Sequence, residues 1–229
     1  MDVAQSTYGD VPELLTLLTG DEKHAPAATS TLDVLWVLYD RVLRVDPGRP
    51  DDPLRDRFLL SKGHGPAAYY AVLAAKGFLA REELERFAEF DSALGHHPDR
   101  LLVPGVEISS GSLGHGLPIA VGIALALDAR EVDGPRVFCL LGDGELDEGS
   151  NWEAVQLAGR VGLERLTGIV VDNDSASYGW PGGIARRFEL EGWNSTTVSG
   201  RDHAALEAAL ADASAATPKL VVAQVEPRR

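Results

Sequence analysis

Apolar residues follow two different spacings along this chain. Over residues 32–43, Leu32, Leu35, Trp36 and Tyr39 recur at three- and four-residue intervals, which predicts a helix with one apolar face. Residues 11–19, about 66–76, 81–90, 119–130 and 151–162 read as further helices. Between them lie short apolar runs: Phe58-Leu59-Leu60, residues 137–141, Ile169 to Val171, and Leu220 to Val225. Runs of that length, bounded by polar and glycine-rich turns, predict buried strands. Residues 46–56, rich in Pro and Asp, and 91–118, rich in Gly, Ser, Pro and His, predict loops. The alternation of strand and helix predicts an α/β fold, a parallel sheet flanked by helices on both faces, in one domain over residues 1–229. In such sheets ligands sit beyond the carboxyl ends of the strands. Both glycine-rich turns, residues 61–65 and 142–144, fall at such ends.

Composition narrows the partners. The formal net charge of −14, with no basic block against it, argues against a nucleic-acid or anionic-membrane surface. The single cysteine, Cys139, falls in an apolar strand run and reads as a core residue. One thiol allows no internal disulfide framework, which fits a reducing, cytoplasmic location. The first thirty residues lack a basic start and an apolar core, so no signal peptide is expected. The longest apolar stretch, residues 117–127, is too short to span a bilayer.

The chemistry concentrates at two strand ends. One strand runs into Gly142-Asp143-Gly144, and the next ends in Val171-Asp172-Asn173-Asp174-Ser175, with Asp143 and Asn173 thirty positions apart. Neighbouring parallel strands lie about 4.8 Å apart, so both side chains can reach one ion. A carboxylate, an amide oxygen and a backbone carbonyl are hard donors suited to Mg²⁺ or Ca²⁺, with phosphate oxygens or water completing the shell. The flanking glycines let backbone approach a phosphate, and the following helix N-terminus favours an anion. A solvated glycine–aspartate turn with acids at a helix start explains the same residues. On these residues alone both readings stand open.

The segments LRDRFLLSKGHG, GHHPD, PGVEISSGSLGHGLPIAVGIALAL, GDGELDEGSNWEA, VDN, EGW and SGRDH occur in that order. Together, from about residue 20 to 225, they resemble the transketolase family, and GDG followed by Asn resembles its thiamine diphosphate signature. The resemblance covers the family's N-terminal, diphosphate-binding domain, without the pyrimidine-binding domain. It therefore implies the first subunit of a split, two-component transketolase. Such a subunit pairs with a C-terminal subunit, in an α₂β₂ assembly, and moves a two-carbon ketol unit from a sugar or sugar-phosphate donor to an aldehyde. The implied cofactors are thiamine diphosphate and Mg²⁺ (or Ca²⁺). The metal would rest on Asp143, Asn173 and the main-chain carbonyl of Ser175. Gly144 and His64 would contact the diphosphate, while Gly111, Ser112 and Leu113 would line the aminopyrimidine side. His24 and His97 would face the substrate and shuttle protons, and Glu148 would serve a proton relay between cofactors.

Several positions depart from the family pattern. Residues 22–26, Glu-Lys-His-Ala-Pro, replace Gly-His-Pro-Gly, and His115 stands where Gln is common. Asp174-Ser175-Ala176-Ser177-Tyr178 replaces a Gly and Ile/Leu run, and the family's Lys-Gly-Lys-Gly continuation, with a later diphosphate histidine, does not follow Val225. The altered loop admits a second expectation, ketol transfer in a specialised pathway to an unusual or carrier-bound acceptor. A third is a non-catalytic scaffold subunit. Segments like GHGPAAYYAVL are lacking in the 2-oxo-acid dehydrogenase α subunits. Elsewhere, Glu145 and Asp147 read as helix-start acids, Trp152 and Val155 as core, and His203 as a solvated turn residue. Pro98 favours His97 over His96 as the family histidine. Tyr178 either caps the site or covers its loop.

Overall fold

Alternation of side chains along buried strands divides this molecule into two cores. The computed structural model describes residues 6–18, 25–212 and 216–227. Five strands, β1 (Arg57–Leu60), β2 (Val137–Gly142), β3 (Leu166–Asp172), β4 (Asn194–Ser199) and β5 (Lys219–Gln224), form one all-parallel sheet in the order β1-β2-β3-β5-β4. Successive side chains on a strand point to opposite faces. Thus Phe58, Leu60, Phe138, Leu140, Ile169, Val171, Val221 and Ala223 enter one core. Leu59, Val137, Cys139, Leu141, Val170, Leu220 and Val222 enter the other.

The first face is covered by α1 (Val11–Leu17), α2 (Ala25–Val37), α3 (Ala67–Ala75) and α7 (His203–Ala211). The second carries α4 (Gly116–Ala129), α5 (Gly149–Val161) and α6 (Gly183–Glu189). Helices on both faces of a parallel sheet are the architecture that the strand–helix alternation requires. No helix among the described residues is long and apolar enough to cross a membrane. Cys139 is fully buried, and burial pushes its thiol well above the ordinary range.

The elements depart from the sequence reading in five places. The helix expected over 32–43 begins at Ala25, with Pro26 in its first turn where the missing N–H costs nothing, and widens into one π turn over Leu38–Val42. The helix expected over 81–90 is only a 3₁₀ turn, Arg81–Arg86. Phe87 turns into the core against Tyr70, and Ala88 takes a left-handed φ of 63°, which stops the helix. β4, α6 and α7 lie outside the expected elements. α7 is capped by Asp202, whose carboxylate accepts the N–H groups of Ala204 and Ala205 at 3.0 Å each.

A buried acid ties the base of the sheet together. Asp56 accepts from Arg44 Nη2 at 2.7 Å and Arg136 Nη2 at 2.7 Å, and from the backbone N–H groups of both. Burial alone would raise its pKa, but these bonds outweigh it and hold the carboxyl below the ordinary value. Because the folded pKa lies below the unfolded one, this stabilisation is complete above about pH 4 and is lost as pH falls through the folded value. Asp56→Ala is expected to cost about 3 kcal/mol in urea unfolding at pH 7. The variant's stability should also fall less steeply than wild type below about pH 4.

Candidate metal and diphosphate site

Strand pairing places the two signature residues side by side. The β2–β3 register sets Gly142 opposite Val171, so Asp143 and Asn173 emerge from adjacent strand ends. Asp143 is 1% exposed. Its Oδ2 accepts from the N–H of Ser175 at 2.6 Å and of Ala176 at 3.2 Å, and its Oδ1 from Ser175 Oγ at 2.5 Å. The segment after β3 is thereby folded onto Asp143, helped by Asp174 in the left-handed region at φ 57°. A Cβ on Gly144 would sit 3.3 Å from the Ser175 carbonyl oxygen, so that carbonyl lies against the Gly144 backbone. Asn173 is buried, and its amide oxygen has no hydrogen-bond partner among the described residues.

A buried, unsatisfied acceptor is costly. Here it belongs to the strand end adjacent to Asp143, whose neighbour Gly144 lies against the Ser175 carbonyl. Carboxylate, amide oxygen and carbonyl are a donor set that suits a hard divalent cation. No group of three or more His, Cys, Asp or Glu side chains converges among the described residues. The Asp–Asn–carbonyl set contains only one such residue and does not depend on one. Asp147 extends the acidic edge, with Oδ2 accepting from the N–H of Ser177 at 2.8 Å and Oδ1 buried without a partner among the described residues.

Close backbone approaches join the remaining predicted residues. A Cβ on Gly63 would come within 2.9 Å of Gly111 N, so the turn carrying His64 lies flush against residues 110–111. Gly111 has φ 149°, and a Cβ there would meet the His97 ring at 2.9 Å, which places His97 on Gly111. Gly114, at φ 83°, lies against Glu148 and Ser150. His97, Gly111, Ser112 and Glu148 are exposed, while His64 and Leu113 are half-buried. His24 lies outside the described residues. His115 is exposed.

Three residues depart from their sequence readings. Glu145 is no solvated helix-start acid: it is 2% exposed and accepts from Ser61 Oγ and from the Gly114 N–H at 3.0 Å. Burial raises its pKa, and the bonds from Ser61 and Gly114 oppose that rise. Asp147 likewise turns toward the 174–178 loop rather than into solvent. His203 is no free turn residue: it opens α7, lies 2.8 Å from Asp33 Oδ1 and meets the Tyr8 ring edge-on at 4.6 Å. Asp33 also accepts from Tyr8 OH and from Arg201 Nη1, each at 2.6 Å. Val155 is core as expected, and Trp152 packs on Trp180 and Phe188 under the Arg187 guanidinium. Tyr178 is 63% exposed.

Residues 19–226 match the family model described as transketolase, thiamine diphosphate binding domain. The chain belongs to the transketolase family. A protein of Rhodococcoides fascians named ferredoxin fas2 is 56% identical over 219 residues, covering 96% of this chain and 72% of that one. These 229 residues hold one thiol, the buried Cys139, and so do not supply the thiolate set of an iron–sulfur cluster. One of the subunits of the apulose-4-phosphate transketolase of Actinobacillus succinogenes is 43% identical over 152 residues, 66% of this chain. The chain spans about half of that relative, 53%. Among solved structures, the transketolase of Campylobacter jejuni superimposes with a TM-score of 0.79 at 28% identity, over 96% of this chain and 38% of that one. The five-stranded parallel sheet is thus the thiamine diphosphate-binding fold of transketolases, and the chain carries their N-terminal, cofactor-binding portion.

Proposed function

We propose that residues 1–229 act as one diphosphate- and Mg²⁺-binding domain, the N-terminal subunit of a two-component transketolase. The partner supplies the pyrimidine-binding and C-terminal domains, and the pair assembles as α₂β₂ in the cytoplasm. The reaction moves a two-carbon ketol unit from a ketose or ketose phosphate to an aldehyde acceptor. The observation that carries this reading is the buried Asn173 amide oxygen, without a hydrogen-bond partner among the described residues, at the strand end adjacent to the one that carries Asp143, with the Ser175 carbonyl lying against Gly144. The Actinobacillus succinogenes relative, itself named as one subunit of a transketolase and alike over 66% of this chain, supports the division into two chains.

In this reading Asp143, Asn173 and the Ser175 carbonyl hold Mg²⁺ (or Ca²⁺). Gly144 and His64 hold the diphosphate, and Gly111, Ser112 and Leu113 line the aminopyrimidine side. When bound, thiamine diphosphate supplies a carbon nucleophile and an electron sink. The chain's own work is to orient and to move protons. His97, set on Gly111, and His24 donate to sugar hydroxyls and exchange protons with them. Glu148, at the start of α5, holds a proton in the relay toward the partner's site.

Calorimetric titration with thiamine diphosphate and Mg²⁺, with and without the C-terminal subunit, tests the reading. Metal-dependent binding that strengthens when the partner is present is the expected result. Absence of binding in both conditions overturns it in favour of a scaffold subunit. The loop over residues 174–178 favours a second reading within the same chemistry, an unusual or carrier-bound acceptor. It is polar and largely exposed where the family carries an apolar wall. Turnover measured on free, phosphorylated and carrier-bound aldehydes separates the two.

A further inference from the structure

The loops that make the site come from three separate stretches of chain, and one buried side chain touches all three. Glu145 Oε1 accepts from Ser61 Oγ, in the turn after β1, and from the Gly114 N–H at 3.0 Å, just before α4. Ser61 Oγ in turn accepts from the Gly116 N–H at 3.0 Å. The Glu145 main-chain carbonyl accepts from Asn151 Nδ2 at 2.7 Å, and the Gly114 carbonyl from Ser150 Oγ at 2.7 Å, which binds the start of α5 to the same knot. Every link lies in a space with no room to spare. A Cβ on Gly116 would fall 2.3 Å from Ser61 Cβ, and one on Gly114 would fall 2.5 Å from Ser150 Oγ.

A carboxyl is a costly group to keep in such a place. Glu145 is 2% exposed, and its Oε2 has no hydrogen-bond partner among the described residues. Simple filling of the space is better served by an apolar side chain. What an apolar side chain cannot do is accept two hydrogen bonds from two different segments through one atom. Ser61 adds the complementary property, donating to one segment while accepting from another. Together they fix the His64 turn, the 111–116 segment and the Asp143 turn at one junction.

We propose that Glu145 and Ser61 are a positioning pair that holds these three segments in register, and that cofactor affinity depends on that register. The second half of this statement rests on the cofactor reading given above, and the first does not. Neither residue touches the cofactor in this account. Both act through the backbones that do.

Hydrogen exchange of the intact chain without cofactor tests the first half. Ser61→Ala and Glu145→Ala are each expected to speed exchange across residues 109–118 about tenfold, although neither substitution lies there. Exchange in β5 should stay unchanged. Glu145→Gln keeps the Oε1 acceptor and should restore wild-type protection. The double alanine variant should exceed Glu145→Ala by less than the full Ser61→Ala effect, since only the bond from the Gly116 N–H to Ser61 Oγ remains to be lost. If Glu145→Ala does not fold, Ser61→Ala carries the test.

Calorimetry with thiamine diphosphate and Mg²⁺, in the complex with the partner subunit, tests the second half. Binding should weaken about tenfold or more in the two alanine variants and stay within about threefold in Glu145→Gln. Unchanged exchange over residues 109–118 in Ser61→Ala, or a Gln variant no better than Ala, overturns the pair. Lost protection with undiminished affinity overturns its role in the site. A wild-type complex that protects these amides yet binds no cofactor overturns the cofactor reading and leaves the junction standing as architecture.

Discussion

Asp143→Ala is expected to weaken Mg²⁺-dependent thiamine diphosphate binding by about 100-fold or more, while barely moving the melting temperature of the chain alone. Substitutions one shell out from a metal typically cost 10- to 100-fold, and Asp143 is a direct ligand in the proposed site. Of the three protein groups proposed to hold the metal it alone carries a charge, so the loss falls on charge and on geometry together. The stability side is small for a separate reason. The donors that Asp143 satisfies belong to Ser175 and Ala176, on an exposed or half-exposed loop, and they can turn to water when the carboxylate is gone. Asp143→Asn separates the two contributions, since it keeps an acceptor oxygen and removes the charge. Thermal melts and calorimetry on the same samples decide the matter. Wild-type affinity in Asp143→Ala sinks the assignment of this residue to the metal.

The second large effect is expected far from the site, at Gly159. A Cβ there would lie 1.7 Å from the Glu191 carbonyl oxygen and 2.8 Å from its carbon. Both are backbone atoms, so no rotamer change relieves the contact. The 191–193 turn would have to lift from α5, and that turn carries Trp193, which donates to the Val155 carbonyl at 2.8 Å and packs edge-on to Phe188. Overpacking of side chains costs about 1–3 kcal/mol, and a backbone collision belongs at the top of that range or above it. At about 2–4 °C per kcal/mol for a chain of this size, Gly159→Ala should melt roughly 10 °C below wild type. Gly122→Ala provides the matched control, because a Cβ at that α4 position meets nothing within 4 Å. There the gain in helix propensity, about 0.5–1 kcal/mol, should raise the melting temperature slightly. Equal effects in the two variants would refute the account.

The contrast between these glycines also shows where sequence reading reaches its limit. The strands that bury both faces announce themselves as apolar runs, so β1, β2, β3 and β5 were legible, and with them the sheet ends that place Asp143 next to Asn173. β4 was not, because Asn-Ser-Thr-Thr-Val-Ser at a sheet edge needs no apolar alternation. α7 hid for another reason. His203 reads as a turn residue, and residues 199–202 do form a turn, but α7 opens directly behind it at His203. Glu145 shows the sharper limit. An acid in a Gly-Asp-Gly-Glu stretch looks solvated by composition, and only the approach of Ser61 and Gly114 from other parts of the chain makes it interior. The two glycines of Gly114-His115-Gly116 were the available sign of that approach, since closely apposed segments leave no room for a Cβ.

β4 also bears on the behaviour of the chain in solution. A sheet that ends in an open strand exposes a row of unpaired N–H and C=O groups, and such rims invite stray strands to add on. Of the two edge strands, β1 is apolar and mostly buried, while β4 is a short strand whose residues are all exposed or half-buried, with a single aliphatic side chain, Val198. A stray segment would find hydrogen-bonding groups and little grease to hold it. The fourteen surplus negative charges add mutual repulsion between copies. At this edge, resistance to stray strand addition is therefore written into the least structured-looking strand of the fold.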